Sequence, residues 1–214
     1  MSEITALVDA VTRSVASVEH DGRPAKVVEA RRTYSAAIDD VWDACTNPER
    51  LPRWFLPVSG DFQVGGRYQF EGNAGGVIER CDEPSLLAVT WEYGGEVSWL
   101  EVRLFKSSGG TTLELQHTAY VDDRWPEFGP GAVGVGWDTA LYGLGMHLDS
   151  GEPVDPAMAQ AWMATADGIE FVTSSSREWA KANVAGGEDP GAAEAAAERT
   201  TAAYTGAAPD SEQG

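Results

Sequence analysis

Phe62-Gln63-Val64-Gly65-Gly66-Arg67-Tyr68-Gln69-Phe70 opens a stretch, Ser59 to Tyr120, in which apolar and polar residues alternate between turn signals. The turns are marked by Gly65-Gly66, Asn73-Ala74-Gly75-Gly76, Asp82-Glu83-Pro84, Gly94-Gly95 and Gly109-Gly110. Alternation with period two puts every second side chain on one face of a strand. Phe62 with Val64, Tyr68 with Phe70, Leu87 with Val89 and Trp91, Leu100 with Val102 and Leu104, and Leu113 with Leu115 therefore share faces, and the spacing predicts an antiparallel meander of six strands. One side of such a sheet is apolar and needs a cover. Trp137, Leu141, Leu144 and Leu148 recur at helical spacing and supply it. Gly143 and Gly145 weaken that helix by about 1 kcal/mol each relative to Ala, which is tolerable where they allow close backbone approach.

Outward from this centre, Val27 to Tyr34 reads as a strand preceding the meander, making about seven strands in all. Ile38, Val41, Trp42 and Cys45 then form a short helical stripe, and Asn47-Pro48-Glu49 has the pattern of a second helix start. Four segments follow. Residues 1–25 carry Ile4, Leu7, Val8, Val11, Val15 and Val18 at helical spacing and read as an amphipathic helix, lying on its own domain or forming a homodimer contact. Residues 26–149 form the main domain, with Gly131 to Gly136 as a flexible approach to the long helix. Residues 150–185 hold a further helix capped by Asp155-Pro156, bearing Met158, Trp162, Ile169, Phe171, Val172 and Trp179. Residues 186–214 are Ala-, Gly- and acid-rich and read as mostly disordered, with the helix-forming run Ala192 to Thr201 and the lone Tyr204 as the case for docking.

Composition narrows the function. Fifteen Lys and Arg against thirty-four Asp and Glu give a net charge of −19 across 214 residues, which argues against nucleic acid as a partner. Neither a membrane-spanning run nor a secretory signal is seen, so a cytoplasmic location away from membranes is expected. Cys45 and Cys81 cannot build a disulfide framework or a tetrahedral metal site by themselves.

Ala37-Ile38-Asp39-Asp40-Val41-Trp42-Asp43-Ala44 and Asn47-Pro48-Glu49-Arg50-Leu51-Pro52-Arg53-Trp54-Phe55 resemble the opening of START-like helix-grip proteins. Phe62 to Tyr68, Thr90-Trp91-Glu92, Thr112 to Thr118 and Gly136-Trp137-Asp138 follow in the order seen in the family of activator-of-heat-shock-protein-90-ATPase homologues. The resemblance spans residues 26–149. It implies an α+β fold in which a curved antiparallel sheet wraps a long carboxy-terminal helix, with an apolar cavity between them; the two short helices after strand 1 fit it, and the helices at both ends exceed the minimal domain. Chaperone cofactors of this kind carry a separate amino-terminal domain, where here residues 1–25 precede the first strand; the resemblance therefore does not favour chaperone ATPase activation.

Enzymatic chemistry finds thin support. His20 lies in a polar turn, and His147 near a helix end, where a cation suits the dipole. His117 alternates in phase with Leu113 and Leu115, which aims it toward the cavity as a ligand-orienting group or an acid/base, or makes it a satisfied core histidine. Gly72-Asn73-Ala74-Gly75-Gly76 lacks the Lys and helix of a phosphate loop, no Gly-x-Ser-x-Gly occurs, and no histidine pair has metal-ligand spacing. Asp122 and Asp123 read as a solvated turn or a base pair. Arg32 shares a phase with Val28, Ala30 and Tyr34, which places a cation near the interior unless a bulge intervenes. Trp99 has the opposite phase and should meet an added helix or a second subunit. The leading expectation is a small-molecule-binding domain for an apolar or aromatic ligand, without cofactor or metal. Its expected lining is Trp54, Tyr68, Phe70, Trp91, Val102, Leu115, His117, Trp137, Leu141 and Leu144. The alternatives are a cyclase- or dehydratase-type enzyme using His117, and an interaction module acting on a chaperone or regulator.

Overall fold

A computed structural model describes residues 2–206. Its chain order is α1 (Glu3–Asp9), β1 (Val11–His20), β2 (Arg23–Tyr34), α2 (Ile38–Thr46), a 3-10 turn (Leu51–Arg53), β3 (Val58–Gly60), β4 (Arg67–Phe70), β5 (Gly75–Asp82), β6 (Leu86–Tyr93), β7 (Glu96–Ser107), β8 (Gly110–Tyr120), α3 (Trp125–Phe128), α4 (Gly131–Ser150), α5 (Pro156–Met163), α6 (Ala166–Ala185) and α7 (Pro190–Thr205). The strands form one antiparallel sheet in the order β1-β2-β8-β7-β6-β5-β4-β3. β3 to β8 are the meander of six, each paired with the next. The sheet curves around α4, whose Trp137, Leu141 and Leu144 join Val28, Leu100, Leu113 and Leu115 in one apolar core.

The leader departs from the helical reading. Only Glu3–Asp9 is helical, and Val11–His20 is an eighth strand, paired with β2 along its whole length. Val11 and Val15 are spaced by four, which suits a strand face as well as a helix face. The β-branched run Val11, Thr12, Val15 and Val18 breaks the tie toward strand. Asp21 and Gly22 both have positive φ (48° and 74°), the backbone that a two-residue hairpin turn requires.

Three further expectations are revised. Gly131 to Gly136 is the first part of α4 rather than a flexible approach to it. The helix after Asp155 is broken in two at Ala164-Thr165, where Thr165 Oγ1 accepts from Gly168 N and caps α6. The tail forms α7, started by Asp189 capping Ala192 N and by Pro190 in the first turn. Ala193, Ala196, Ala197 and Thr200 are buried, the alanines packing close to α6 because they are small. Arg199 Nε, Thr200 Oγ1 and Tyr204 Oη donate to the carbonyls of Glu127, Phe128 and Ala132, so polar side chains add attachment that an alanine face alone would lack. Residues 207–214 of the expected tail lie outside the described residues.

The added elements β1 and α6 brace α4 through one buried carboxylate. Arg13 on β1 meets Asp138 on α4 at 2.9 Å, both nearly inaccessible, and Ser175 and Trp179 on α6 donate to the same carboxylate oxygen. Burial pushes the Asp138 carboxyl up, against the pull of Arg13 and these donors. Gly134 leaves the space that the Trp179 indole fills; a Cβ there would overlap the ring. Trp99 lies 3.8 Å from the His20 ring on β1 and meets Tyr120 on β8 edge-on at 5.2 Å, so within the chain it packs on strand residues rather than on an added helix.

Candidate functional site

Sheet and α4 do not fill the space between them. A cavity of about 370 Å³ remains, in the range of roughly 300–1,000 Å³ typical of small-molecule sites. Its floor is the inward row of β5 to β8, its roof is α4, and α2, the 3-10 turn and the loop of residues 61–66 form its mouth side. Asp, Glu, His, Lys and Arg are all missing from the lining.

Trp54, Tyr68, Phe70, Trp91, Val102, Leu115, Trp137, Leu141 and Leu144 all border the cavity, and His117 does not. The aromatic members form a continuous arc. Ring centroids are 5.6 Å apart for Trp54–Phe55, 5.1 Å for Phe55–Phe70, 5.8 Å for Phe70–Trp91 and 5.1 Å for Trp91–Trp137. The polar atoms of Trp54, Tyr68 and Thr46 are turned into the protein. Trp54 Nε1 donates to Ala44 O at 2.8 Å, Tyr68 Oη to Thr90 O at 2.7 Å, and Thr46 Oγ1 to Trp42 O at 2.8 Å. Burial raises the Tyr68 hydroxyl well above its ordinary value, which leaves it protonated. The wall therefore offers apolar and π surface, with these hydrogen-bonding groups already used.

His117 stands behind that wall as a satisfied core histidine. Trp137 Nε1 donates to its Nδ1 at 3.0 Å, so its proton sits on Nε2, 2.8 Å from Ser98 Oγ, and Ser98 Oγ donates to Trp91 O at 3.0 Å. Burial lowers the imidazole to about 4. This chain of hydrogen bonds runs from one cavity tryptophan to the backbone of the other and fixes the orientation of Trp137.

The remaining candidates are structural or solvated. His147 is buried, accepting from Arg50 Nε at 3.0 Å and facing Glu152 O with Nδ1 at 2.9 Å, and Arg50 and Arg53 bring cations to that end of α4. Arg50 also donates to Asp40 and Asp43, tying α2 to α4. Asp122 accepts from the Arg124 and Trp125 amides in an exposed turn. Arg32 does enter the sheet interior, since β2 runs without a bulge, and donates to Leu141 O at 3.3 Å beside Gly145. Among the described residues, no group of three or more His, Cys, Asp or Glu is placed to hold a metal ion, and no helix is long and apolar enough to cross a membrane.

The lining also includes residues that sequence reasoning left out. Leu87, Val89, Leu100 and Leu113 belong to the same alternating faces as the expected ones, and reading each face to its end would have found them. Cys45 comes from the inward stripe of α2, where burial lifts its thiol to about 12. Phe62 and Val64 lie in a loop rather than a strand; they are 45% and 59% exposed and mark the mouth, together with the exposed Cys81.

A family model described as Activator of Hsp90 ATPase homolog 1-like protein matches residues 35–149. Among solved structures, CalU16 from Micromonospora echinospora is 34% identical. Its crystal structure covers 81% of this chain and 98% of its own with a TM-score of 0.62, and its solution structure covers 83% and 97% with 0.68. DynU16, from the dynemicin biosynthetic locus, is 20% identical over 68% of this chain and 49% of its own, with a TM-score of 0.50. No curated protein matches the chain.

Proposed function

We infer that this chain, which belongs to the Activator of Hsp90 ATPase homolog 1-like family, takes up an apolar or aromatic small molecule in the cavity between its curved sheet and α4. One observation carries the reading: a hollow of about 370 Å³ is walled by seven aromatic side chains, Trp54, Phe55, Phe62, Tyr68, Phe70, Trp91 and Trp137, and by aliphatic ones. Burying a flat hydrocarbon against such a surface gains about 25 cal/mol per Å² of apolar area removed from water. Aromatic stacking adds to that gain. Binding is favoured over catalysis because the lining holds no carboxylate, imidazole or amine to move a proton, and both nitrogens of His117 are engaged behind it.

The neutral dye N-phenyl-1-naphthylamine tests the reading. It should quench the protein's tryptophan fluorescence, gain emission itself and raise the melting temperature. Ala140 lines the roof from α4, and Ala140→Phe places a ring in the void. That variant should lose dye affinity by about tenfold or more without losing stability, since it fills space rather than emptying it. Dye binding undiminished in a folded Ala140→Phe protein would place the dye elsewhere and refute the site.

A further inference from the structure

We propose that the cavity discriminates by sign of charge: it accepts molecules without negative charge and refuses carboxylates, sulfonates and phosphates of the same apolar body. The inference rests on the cavity reading above and adds a specificity to it.

The wall supplies the first half of the argument. An anionic group carried inside would lose its hydration and meet no Lys, Arg or His in the lining. The indole N–H groups of Trp54 and Trp137 and the hydroxyl of Tyr68 already donate to protein acceptors. Turning one outward to meet an anion would leave Ala44 O, His117 Nδ1 or Thr90 O without that bond.

The mouth supplies the second half. Gln63, on the mouth loop, donates to the carboxylate of Asp61 at 2.8 Å, which holds a negative charge at the rim. On the other side, Cys81 reaches the cavity from the end of β5, directly before Asp82 and Glu83. Its thiol is raised by partial burial and then by the negative charges of Glu83 and Asp82; with Asp82 paired to Arg80, Glu83 is the acid whose field reaches the opening. The neighbouring cations are engaged away from it. Arg80 pairs with Ala88, whose neighbours Leu87 and Val89 face the cavity, so Arg80 lies on the outer face, where it binds Asp82 at 2.5 Å. Arg53, beside Trp54, donates to Gly151 O at 2.7 Å. A net charge of −19 adds a repulsive field of longer range.

Two dyes with one ring system read this out: N-phenyl-1-naphthylamine, which is neutral, and 8-anilino-1-naphthalenesulfonate, which differs by its sulfonate. Titrations at about 20 mM and about 500 mM NaCl separate rim repulsion, which salt screens, from apolar binding, which it does not. The sulfonate should gain about threefold or more in affinity at high salt relative to the neutral dye. Glu83→Lys should narrow the gap between the two dyes by about tenfold at low salt, with Glu83→Gln intermediate. Equal affinity of the two dyes at both salt concentrations would overturn the charge filter while leaving the cavity intact, and a gap that neither salt nor Glu83→Lys changes would overturn the part assigned to the mouth. Failure of both dyes to bind would instead remove the cavity reading, and the filter with it.

Discussion

One buried imidazole should give acidification a separable hold on this protein's stability. His117 is neutral and buried, with Trp137 donating to Nδ1 and Nε2 directed at Ser98 Oγ. A proton added at Nδ1 would set two N–H groups against each other and bury a charge. Burial lowers the group from 6.5 to about 4. The unfolded chain, with its histidine at the ordinary value, takes up the proton first, so this contribution is full above pH 6.5. It falls as pH is lowered and is gone below about pH 4. The interval from 6.5 to about 4 is about 2.5 units, and at about 1.4 kcal/mol per unit the full loss comes to about 3.5 kcal/mol, of which about 3 falls between those two pH values. Other groups contribute. Asp43, lowered by hydrogen bonds from Asn47 and Arg50, and Glu92, lowered by its hydrogen bond from Arg67, give up stability as pH falls through their own depressed values; Asp138, raised by burial, works in the opposite sense. The comparison that isolates His117 is wild type against His117→Gln, because Gln can accept from Trp137 and donate to Ser98 without titrating. Urea unfolding, followed by tryptophan fluorescence at a series of pH values, gives both stabilities. Their difference should shift by about 3 kcal/mol toward the variant between pH 6.5 and about pH 4. A difference that stays constant across that range refutes both the burial argument and the assigned tautomer.

Three other outcomes follow from the packing. Asp138→Asn leaves the guanidinium of Arg13 buried without its counter-charge and should cost about 3–5 kcal/mol in urea unfolding. Gly134→Ala gains about 1 kcal/mol of helix propensity but drives a methyl into Trp179, so the net change should be a loss of about 1–2 kcal/mol, read as a lower melting temperature. A maleimide should label Cys81 in the native protein and Cys45 only on unfolding, resolved by mass spectrometry of peptides; native labelling of Cys45 at a comparable rate would show that the inner cavity opens freely.

What the sequence made legible was whatever one periodicity settled alone. The meander reads from its turns because glycines, or Pro84 between β5 and β6, agree with the alternation, and α4 reads from Trp137, Leu141 and Leu144 because no strand period fits them. The leader misleads because residues spaced by four satisfy both periods, and it is the turn Asp21-Gly22 that decides for a hairpin. α7 was hidden for another reason. Its stability comes from close alanine contacts and from side chains reaching carbonyls of residues 127–132, contacts far apart in the sequence with no local signature. His117 was correctly placed on the inward face; a donor on another element, the Trp137 indole, makes it part of the wall's support rather than of the wall.

The hollow and the added elements belong together physically. An α4 with glycines at 131, 134, 136, 143 and 145 is a poor helix by propensity, and on its sheet side it faces a space that side chains do not fill. Contacts on that side alone would hold it weakly. On its other side Gly134 admits Trp179 and α6 holds Asp138 through Ser175 and Trp179, while from the far edge of the sheet Arg13 on β1 meets the same Asp138 and Arg32 on β2 lies against Gly145. The partners β1 and α6 both fall outside residues 35–149, the part matched by the family model. Holding α4 from behind lets its inner face remain under-packed, so that room for a ligand is kept without surrendering the position of Trp137.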